Sequence, residues 1–508
     1  MFLKNTHECA NMFTILEKRD YMSKKKTNNL IQKITDYKII IAIQIIASLF
    51  IVGLLFKLGA LPFKYIIIVI LLVVLLAVGT FFLMKPSKQK GKGKIRSVIG
   101  KIVSIILSVL LLLGSLYIAQ GDSTIDSITG ANKQTTRYSV FVLKDNSAEK
   151  LSDLKNETIE VNAQVETENM NSAIEKLKEE ESSISTKDVK DFNVLSQDLY
   201  DGKTKAIYLN EAYLAVIEES HPNFETETKI VYTYEFEEEL KDFSKDVSVT
   251  KDPFVIYISG IDTYGKVSTV SRSDVNMMVT VNPKTKQILM TSIPRDCWVT
   301  LANKGKKDKL THSGLGGVEN TVKTVENFMG VDINYYARVN FTSLIKIVDA
   351  LGGVDVESPV AFSAQGYSFK KGTNHVNGKQ ALAFSRERYS FGGGDGARVA
   401  NQQRVLTAML KKMMSPAIIT NYSKVLSSID GSFETNMDSS DITDLLQMQI
   451  NDMASWTFIT KQLSGTGSMR TGGAYMPNHK LYYLIPNEDS VSENKAAINK
   501  VLKGETVQ

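Results

Sequence analysis

The stretch "SRSDVNMMVTVNPKTKQILMTSIPRD", residues 271–296, has the pattern of a β-hairpin with charged residues at its beginning and its end. Two apolar segments flank the turn sequence "NPKTK" and predict two antiparallel strands. Arg272 and Asp274 lie just before the first apolar segment, whereas Arg295 and Asp296 follow the second. Core packing does not require cations and carboxylates there, so this hairpin is a candidate for part of a functional site.

Further arginines follow with spacings that place them on shared faces. Arg386 and Arg388 in "AFSRER" are two apart, so an extended segment would point both to one side. Arg398 and Gln402 are four apart in "RVANQQRVLTAMLKKMMSP", which predicts one face of a helix that ends before a proline. Because arginine forks match phosphate oxygens, arginines clustered near a helix N-terminus indicate a polyanion-binding site.

Carboxylates in the same region indicate a metal ion. Asp262 and Asp274 would repel a bound phosphate unless a hard cation joined them to it, and Mg²⁺ is held in this way by one or two carboxylates and phosphate oxygens. The alternative is a set of surface ion pairs that contribute little. The positions at the ends of predicted core strands favour the site.

Several other classes of function are disfavoured. The chain has no G-x-S-x-G motif for a serine hydrolase, and the histidines of the long C-terminal part are too scattered for a zinc site. Cys297 has no partner arrangement typical of a nucleophile and is predicted to pack in the core. Residues 1–101 hold 17 Lys and Arg against 4 Asp and Glu, so the remaining chain carries +5 less +13, or −8, which excludes nucleic acid as a partner of that part.

Three uncharged apolar runs lie near the start of the chain, at residues 39–56, 65–84 and 102–119. Each has about 18–20 residues, enough for a helix to cross a bilayer. The alternative is that one run is a buried core helix or a signal peptide, but three such runs lie close together with alternating charge at their flanks, and no small-residue cleavage site follows the first. The sequence therefore predicts a multi-pass protein of the cell membrane with three spans.

The flanking charges predict the orientation. The tail at 1–38 and the loop at 85–101 are rich in lysine and arginine, so the positive-inside rule places both in the cytoplasm. With three spans, the chain after about residue 120 is then extracellular. It divides by composition into a polar stalk at 120–137, a small α/β accessory domain at 138–239, a charged linker at 240–252 and a longer α/β domain at 253–508.

Two helices of the last domain carry boundary signals. "VENTVKTVENFMG" has apolar residues at helical spacing, with Gly330 placed to end the helix. "TSLIKIVDALGG" repeats this design, with Thr342 as the candidate N-cap. The accessory domain, by contrast, has no glycine fingerprint or metal-ligand cluster, which favours a spacer or sensing module.

Six motifs, in this order, resemble the LytR-CpsA-Psr family. They are "SGIDTYGKVSTVSRSDVNMMVTVNPKTKQILMTSIPRDCWV", "KLTHSGLGG", "VDINYYARVNF", "IVDALGGVDVESP", "VNGKQALAFSRER" and "DGARVANQQRVL". The resemblance covers about residues 252–508, and the three spans with the extra domain are similar to the capsule-locus CpsA branch. It implies an α/β/α catalytic domain with a mixed central sheet.

The resemblance also implies an activity. Such proteins move a glycan polymer from an undecaprenyl-type pyrophosphate carrier onto peptidoglycan as a phosphodiester, with the lipid tail in an apolar pocket. For this chain it implies a phosphotransferase, a capsular polysaccharide as the polymer, Mg²⁺ as the cofactor, and other capsule-assembly proteins as further partners.

Site residues are carried over motif by motif. The arginines that match those gripping the pyrophosphate are Arg272, Arg295, Arg386, Arg388 and Arg398. Gln402 matches a glutamine of the same site, and Lys309 matches a supporting position of the phosphate site. Asp395 matches a supporting catalytic position, and Asp262 and Asp274 match the magnesium-binding carboxylates. Asp262 and Asp395 are both candidates for the general base.

Three other functions remain open. The protein could be a regulator or attenuator of capsule synthesis that senses lipid-linked intermediates, a phosphatase that cleaves the polyprenyl pyrophosphate without attaching the polymer, or a scaffold for other capsule proteins. Three observations would distinguish them, in that order: DNA binding by the tail at 1–38, release of free polymer, and arginine substitutions that have no effect.

Overall fold

The computed structural model describes residues 35–86, 92–129, 133–261, 267–392, 394–416, 424–425, 428 and 433–508. The chain forms two compact units, Met1–Ser123 and Thr124–Gln508.

The first unit contains the apolar helices α1 (Tyr37–Leu58), α2 (Phe63–Met84) and most of α3 (Lys92–Ile128). Asp36 caps α1 by accepting a hydrogen bond from the backbone N–H of Lys38. All three helices are long and apolar enough to cross a membrane, so the predicted membrane anchor is confirmed at this level.

A polar contact joins the three helices. The side-chain oxygen of Gln44 on α1, which is buried, accepts hydrogen bonds from the hydroxyls of Thr80 on α2 and Ser104 on α3. Within a bilayer such interhelical hydrogen bonds help to associate helices, because lipid tails provide no hydrophobic driving force between them.

The accessory domain consists of β1 (Lys133–Leu143), β2 (Thr158–Val161), α4 (Thr167–Glu180), β3 (Ser185–Asp188), α5 (Phe192–Tyr200), β4 (Ile207–Asn210), α6 (Leu214–Ile217), α7 (Phe224–Glu227) and β5 (Thr228–Glu239). Its sheet has the order β3-β2-β4-β1-β5. Strand β2 is parallel to β3 and β4, and β1 is antiparallel to β4 and β5. The expected small α/β domain is therefore present.

The predicted stalk at 120–137 differs from the structure. Helix α3 continues to Ile128, and β1 already begins at Lys133. The reason is strand pairing, because β1 pairs with β5 along its whole length, from Lys133 opposite Glu239 to Leu143 opposite Thr228. A polar composition alone did not reveal that partner strand.

The part of the chain that carries the six motifs, for which the resemblance implies a catalytic domain, begins with the strands β6 (Phe254–Gly260), β7 (Val275–Asn282), β8 (Gln287–Ser292), β9 (Trp298–Thr300) and β10 (Lys307–Lys309). A 3-10 helix (Leu310–Gly316) leads into α8 (Gly317–Met329), which precedes β11 (Tyr335–Val339) and α9 (Phe341–Ala350). Four short strands follow: β12 (Val354–Ser358), β13 (Phe362–Ala364), β14 (Tyr367–Phe369) and β15 (Gly372–Val376). Further elements of the described chain are α10 (Gly378–Arg386), α11 (Asp395–Met413), β16 (Phe433–Thr435), α12 (Ser439–Asp452), β17 (Thr457–Gln462), β18 (Gly465–Arg470), β19 (Leu481–Pro486) and α13 (Glu488–Leu502).

The central sheet has the order β16-β11-β6-β7-β8-β17 and is mixed. Strand β6 is parallel to β11 and antiparallel to β7, and β8 is parallel to β17. Strands β7 and β8 form the predicted hairpin, with Met277 opposite Ser292 and Asn282 opposite Gln287.

Alternating side chains of this sheet contribute to two hydrophobic cores, as the two-residue period of a strand requires. Met278 packs in the same core as Val325 of α8 and Ile498 of α13. Its neighbours Met277 and Val279 pack in the other core, whose partly buried members include Leu406 of α11 and Ile442 of α12. The sheet therefore lies between two layers of helices, which confirms the expected α/β/α arrangement.

The helix boundary signals had mixed outcomes. Gly330 ends α8 in the left-handed conformation, with φ 59°, as predicted. Thr342 was the wrong N-cap for α9, because Asn340 caps it by accepting from the backbone N–H of Ser343. Asparagine is among the preferred N-cap residues, and it precedes Phe341, the first residue of the helix.

Candidate functional site

The charged residues at the two ends of the hairpin sequence meet at one end of the sheet. Because β7 begins at Val275 and β8 ends at Ser292, the open end of the hairpin brings their flanking segments together. There the Nη1 of Arg295 donates a hydrogen bond to Oδ1 of Asp274 at 2.8 Å. The beginning and the end of the stretch are thus linked by a charge-assisted hydrogen bond.

A third segment, in the motif "KLTHSG", lies between them. The backbone of Thr311 accepts from the N–H of Ser273 at 3.1 Å and donates to the carbonyl of Arg295 at 2.9 Å. Its hydroxyl donates to Oδ1 of Asp274 at 3.0 Å. Gly314 permits this approach, since a Cβ there would lie 2.4 Å from the carbonyl oxygen of Ser271. The segment that carries Arg272 is therefore held against the 3-10 helix.

Asp274 is a buried carboxylate, with 8% of its side chain exposed. Burial would raise its pKa, but the charges of Arg272 and Arg295 and the hydrogen bonds to Oδ1 outweigh burial, so the pKa is lowered. Its Oδ2 is buried and has no hydrogen-bond partner among the described residues. A charged oxygen in that state fits a cation that is bound when the site is occupied.

The N-terminus of α11 supplies a second carboxylate. Asp395 is the first residue of that helix, and its Oδ1 lies 2.6 Å from Nη2 of Arg398. The same oxygen accepts a hydrogen bond from Nη2 of Arg388 at 3.3 Å. Two arginines from a loop and a helix therefore share one carboxylate.

Arg398 belongs to the same electrostatic environment as the hairpin. Burial lowers its pKa, Asp395 and Asp274 raise it, and the like charges of Arg295 and Arg388 lower it further. Its side chain is only 12% exposed, and its Nε is buried with no hydrogen-bond partner in the described part of the chain. The site thus brings together predicted residues of the hairpin, the loop before α11 and α11 itself.

One predicted arginine lies in other surroundings. Arg386 is the last residue of α10, and its guanidinium packs over the Phe341 ring at 4.5 Å. The expectation that Arg386 and Arg388 share one extended segment was therefore wrong. The Asn377 capping box begins a helix that buries Ala383 and Phe384 and continues to Arg386.

Gln402 lies on α11 one turn after Arg398 and is half-buried, as its spacing predicts. Within the described residues it makes no side-chain hydrogen bond. Its neighbour Gln403, which the sequence did not single out, donates to Oγ of Ser292 at 2.9 Å and to the carbonyl of Lys461 at 2.7 Å. Gln403 therefore fixes α11 to the ends of β8 and β17.

Lys309 occupies the edge of the site, with 8% of its side chain exposed. Its Nζ lies 2.7 Å from Oε1 of Glu219 and 3.8 Å from Oδ1 of Asp296. Sequence patterns gave no signal for Glu219, because it belongs to the accessory domain. The charges of Asp296 and Lys309 were visible in the motifs, but their pairing was not.

Behind Lys309, Asp308 and His312 form a buried pair, with Nδ1 of the histidine 2.9 Å from Oδ1 of the carboxylate. Asp308 also accepts from the backbone N–H of Tyr475 at 2.9 Å. Burial would raise the pKa of Asp308, but the charge of His312 and these hydrogen bonds lower it. Since both side chains are inaccessible to substrate, the pair supports the motif from within.

The predicted metal ligands are only partly described. Asp262 lies outside the described residues, so its position relative to Asp274 is not given. Among the residues that are described, no three His, Cys, Asp or Glu side chains are grouped to hold a metal ion. Asp274 Oδ2 is the oxygen that fits Mg²⁺, and the cofactor stays a prediction.

A polar cavity of about 470 Å³ lies beside the charged site. Its walls include Gln134 of β1, Asn169 of α4, Asn303, and Val270 and Leu315. The last two residues adjoin the segments of Arg272 and Thr311, but the cavity itself is not lined by the arginines. We place the chemistry at the arginines because their guanidinium groups are paired there with the carboxylates of Asp274 and Asp395.

Comparison with known proteins identifies the fold family. A family model described as "LytR_cpsA_psr family" matches residues 221–500, which is more than half of the chain. This chain belongs to the LytR-CpsA-Psr family. The match begins within the accessory region, and the predicted boundary at 253 stays a prediction.

Curated relatives of this LytR-CpsA-Psr chain carry the name "Polyisoprenyl-teichoic acid--peptidoglycan teichoic acid transferase TagU". The protein from Bacillus licheniformis is 36% identical over 252 residues, which cover 49% of this chain and 78% of that protein. The protein from Enterococcus faecalis is 34% identical over 247 residues, covering 48% and 80%.

Solved structures with similarity to this LytR-CpsA-Psr chain include "Crystal structure of B. subtilis TagU". It is 33% identical, covers 51% of this chain and 100% of its own, and has a TM-score of 0.41. "TagT bound to LIIa-WTA" is 28% identical, covers 51% and 94%, and has a TM-score of 0.42.

Proposed function

We propose that the protein transfers a glycan polymer from a polyprenyl-pyrophosphate carrier to peptidoglycan, leaving the polymer attached through a phosphodiester. The observation that carries this proposal is the convergence of Arg295, Arg388 and Arg398 around Asp274 and Asp395. Clustered guanidinium groups bind phosphate oxygens through parallel N–H donors. The names of the TagU relatives support the same transfer.

The proposed polymer is a capsular polysaccharide, because three spans and an accessory domain precede the family motifs. Teichoic acid, the polymer in the names of the relatives, is the alternative. The proposed orientation has the basic segments 1–38 and 85–101 in the cytoplasm and the site outside, where peptidoglycan lies. Other capsule-assembly proteins are proposed as partners on the same membrane.

The arginines bind the donor and stabilise the leaving group. Arg398 has a buried Nε without a hydrogen-bond partner in the described chain, and this N–H is the proposed donor to a phosphate oxygen, whereas the Nε of Arg295 lies 3.9 Å from Oδ2 of Asp296. Lys309 adds an ammonium at the edge, and Gln402 adds an amide. As the bond between the two phosphates breaks, negative charge builds on the polyprenyl phosphate, and fixed cations stabilise it without reorganisation.

The carboxylates hold those cations in place. Asp274 orients Arg295, and Asp395 orients Arg388 and Arg398. Asp274, together with Asp262 as its predicted companion, would hold Mg²⁺. When bound, this ion would neutralise part of the charge on the phosphate oxygens.

The acceptor is a sugar hydroxyl of peptidoglycan. Its oxygen attacks the phosphorus next to the glycan, the bond to the bridging oxygen breaks, and polyprenyl phosphate leaves. We propose Asp395 as the carboxylate that takes the hydroxyl proton, with Asp262 as the other candidate. Asp395 is 30% exposed, so an acceptor can approach it, whereas Asp274 is buried.

The test uses the full chain in lipid nanodiscs, with a synthetic polyprenyl-pyrophosphate oligosaccharide as donor and peptidoglycan as acceptor. Wild-type protein should release polyprenyl phosphate and form a phosphodiester-linked product in equal amounts, and Arg398→Ala should form neither. Release of polyprenyl phosphate together with free phosphorylated oligosaccharide would instead indicate a pyrophosphatase. No release by the wild-type protein would reject the proposal.

A further inference from the structure

The accessory domain reaches the candidate site. We propose that this domain completes the site and that Glu219 is a positioning residue for Lys309. The inference rests on the proposed function, because Lys309 is one of the cations assigned there to the donor diphosphate. It gives the accessory domain a part in donor binding, in place of the spacer or sensing role that its sequence favours.

The ion pair is the first observation. Oε1 of Glu219 lies 2.7 Å from the Lys309 ammonium, which is almost completely buried. A lysine in that state needs a carboxylate to offset the loss of hydration. A second carboxylate, that of Asp296, lies 3.8 Å from the ammonium, and the Tyr483 ring covers the ammonium with its centroid 5.9 Å from Nζ. Glu219 therefore holds the ammonium at a fixed distance from Asp296.

The backbone that carries Glu219 is itself held in place. The N–H groups of Ser220 and His221 both donate to the carbonyl of Ile217, at 3.1 and 2.9 Å. Ile217 and Phe224, on either side of this turn, are fully buried. Glu219 thus projects from a turn that is anchored at both ends.

That turn is packed against the catalytic part. Val216 and Ile217 of the accessory domain belong to one hydrophobic core with Val270, Leu315 and Tyr483 of the catalytic part. A shared core of buried side chains restricts movement between the two parts, unlike a contact through solvent-exposed groups. The position of Glu219 is therefore set by the same packing that sets the site.

Strand β1 makes a second connection. The backbone N–H of Thr135 donates to the carbonyl of Ser268, and its carbonyl accepts from the N–H of Val270, both at 2.8 Å. Residues 268–270 lead directly to Arg272. From the catalytic side, Nη2 of Arg338 donates to the carbonyl of Thr269 at 2.8 Å. The accessory domain thus supports the segment of one site cation and pairs directly with another.

The two roles open to Glu219 have opposite consequences. As a positioning residue it keeps Lys309 where a phosphate can meet it, so its loss lets the ammonium move towards Asp296 and weakens donor binding. As a competitor it would block Lys309, so its loss would strengthen donor binding. The buried, anchored pair favours positioning, because a competitor has to leave before the donor binds.

The experiment measures donor KM and kcat for the full chain in nanodiscs. Glu219→Gln should raise KM for the lipid-linked pyrophosphate donor about tenfold, the size of one charge-assisted hydrogen bond. Its kcat should stay within about twofold, since the change affects binding in the ground state and transition state alike. Glu219→Asp, which keeps the charge, should recover part of the affinity.

A double-mutant cycle tests the pairing. Lys309→Gln should raise KM to a similar extent, and adding Glu219→Gln to it should cause no further loss. The matched control is Glu157→Gln, which removes an accessory-domain carboxylate that pairs with Lys205 at 2.6 Å. The control should leave KM unchanged, and every variant should stay folded at the assay temperature, as checked by a cooperative thermal unfolding transition above it.

A lower KM for Glu219→Gln, an unchanged KM, or additive losses in the cycle would each overturn the inference. The proposed function fails separately: then the wild-type chain neither binds nor uses the donor. If the wild-type chain is active and Arg398→Ala is not, but Glu219→Gln behaves as wild type, only the role of Glu219 is rejected.

Discussion

An exposed ion pair of the accessory domain and the ion pair at the open end of the β7–β8 hairpin join a cation to a carboxylate in different surroundings. In the accessory domain, Lys205 pairs with Glu157 at 2.6 Å while 62% of the lysine side chain remains exposed. At the hairpin, Arg295 pairs with Asp274 at 2.8 Å, and the carboxylate is almost fully buried. The first pair remains in water, and the second is removed from it.

The difference shows where an ion pair is buried at a cost in desolvation free energy. An exposed pair contributes about 0–1 kcal/mol, because solvent screens it and two long side chains lose freedom. A buried pair costs several kcal/mol of desolvation per ion, which its attraction repays only with good additional hydrogen bonds. At the hairpin some of those bonds are missing in the described chain, since Asp274 Oδ2 and Arg398 Nε have no partner. Unmatched buried charges are expected where a charged ligand binds.

The strongest test of this contrast removes one cation from each region. Arg398→Ala should lower the rate of transfer about 10³-fold, the scale of losing a donor to developing negative charge. Lys205→Ala should change it by less than about twofold. Single-turnover release of polyprenyl phosphate measures both. Equal effects would mean that the buried cluster has no special part in the reaction.

Stability should separate the two regions next. Asp274→Asn should destabilise the folded chain by about 3–5 kcal/mol, because it leaves buried guanidinium groups without their counter-charge. Glu157→Gln, in the exposed pair, should cost no more than about 1 kcal/mol. Thermal or urea unfolding of the two variants compares them. A small loss for Asp274→Asn would show that the hairpin pair is as well hydrated as the accessory one.

Low pH should reduce the difference in stability between the wild-type chain and Asp274→Asn. The pKa of Asp274 is lowered in the folded chain, so its charge stabilises the fold above the unfolded pKa of about 3.9 and this contribution is lost as the pH falls through the folded value. The stability gap between wild type and Asp274→Asn should therefore be constant from pH 7 to about pH 5 and shrink below about pH 4. A gap that is independent of pH would contradict a charged Asp274.

The smallest effect is expected at Cys297, which follows Asp296 in the chain and is buried in the core. Burial, with the charges of Asp296 and Asp395, raises the pKa of its thiol to about 12. In a Cys9→Ser background the native chain should not react with a thiol reagent at pH 8, whereas the unfolded chain should. Cys297→Ala should keep transfer within about twofold. Rapid labelling of the native chain would indicate that this end of the sheet opens.

Local patterns were sufficient for most of the fold. Alternating apolar residues around "NPKTK" predicted the hairpin, helical spacing predicted α8 and α11, and long uncharged runs predicted the helices of the first unit. Each of these signals lies within one contiguous segment. The prediction failed where the outcome depended on a distant partner, as for the stalk that became part of β1, or on a stronger nearby cap, as for Asn340 in place of Thr342 at the start of α9.

The site shows the same division. The motifs identified Arg272, Asp274, Arg295, Arg388 and Arg398 as a group, because the family resemblance carries their positions. They did not identify Thr311 as the hydrogen-bond donor to Asp274, or Gln403 as the link from α11 to the sheet. Those roles depend on backbone segments that lie far apart in the chain and meet only after folding.

By itself, the sequence determined that this chain has three membrane-spanning candidates, an α/β architecture and the charged motifs of the LytR-CpsA-Psr family. The physical reason is that hydrophobic periodicity, run length and motif chemistry are properties of neighbouring residues. Only the tertiary structure decided which charges are buried, which oxygen and nitrogen atoms of the described residues lack partners there, and that Glu219 of the accessory domain pairs with Lys309. Burial and pairing depend on how distant segments exclude water together, which no local pattern specifies.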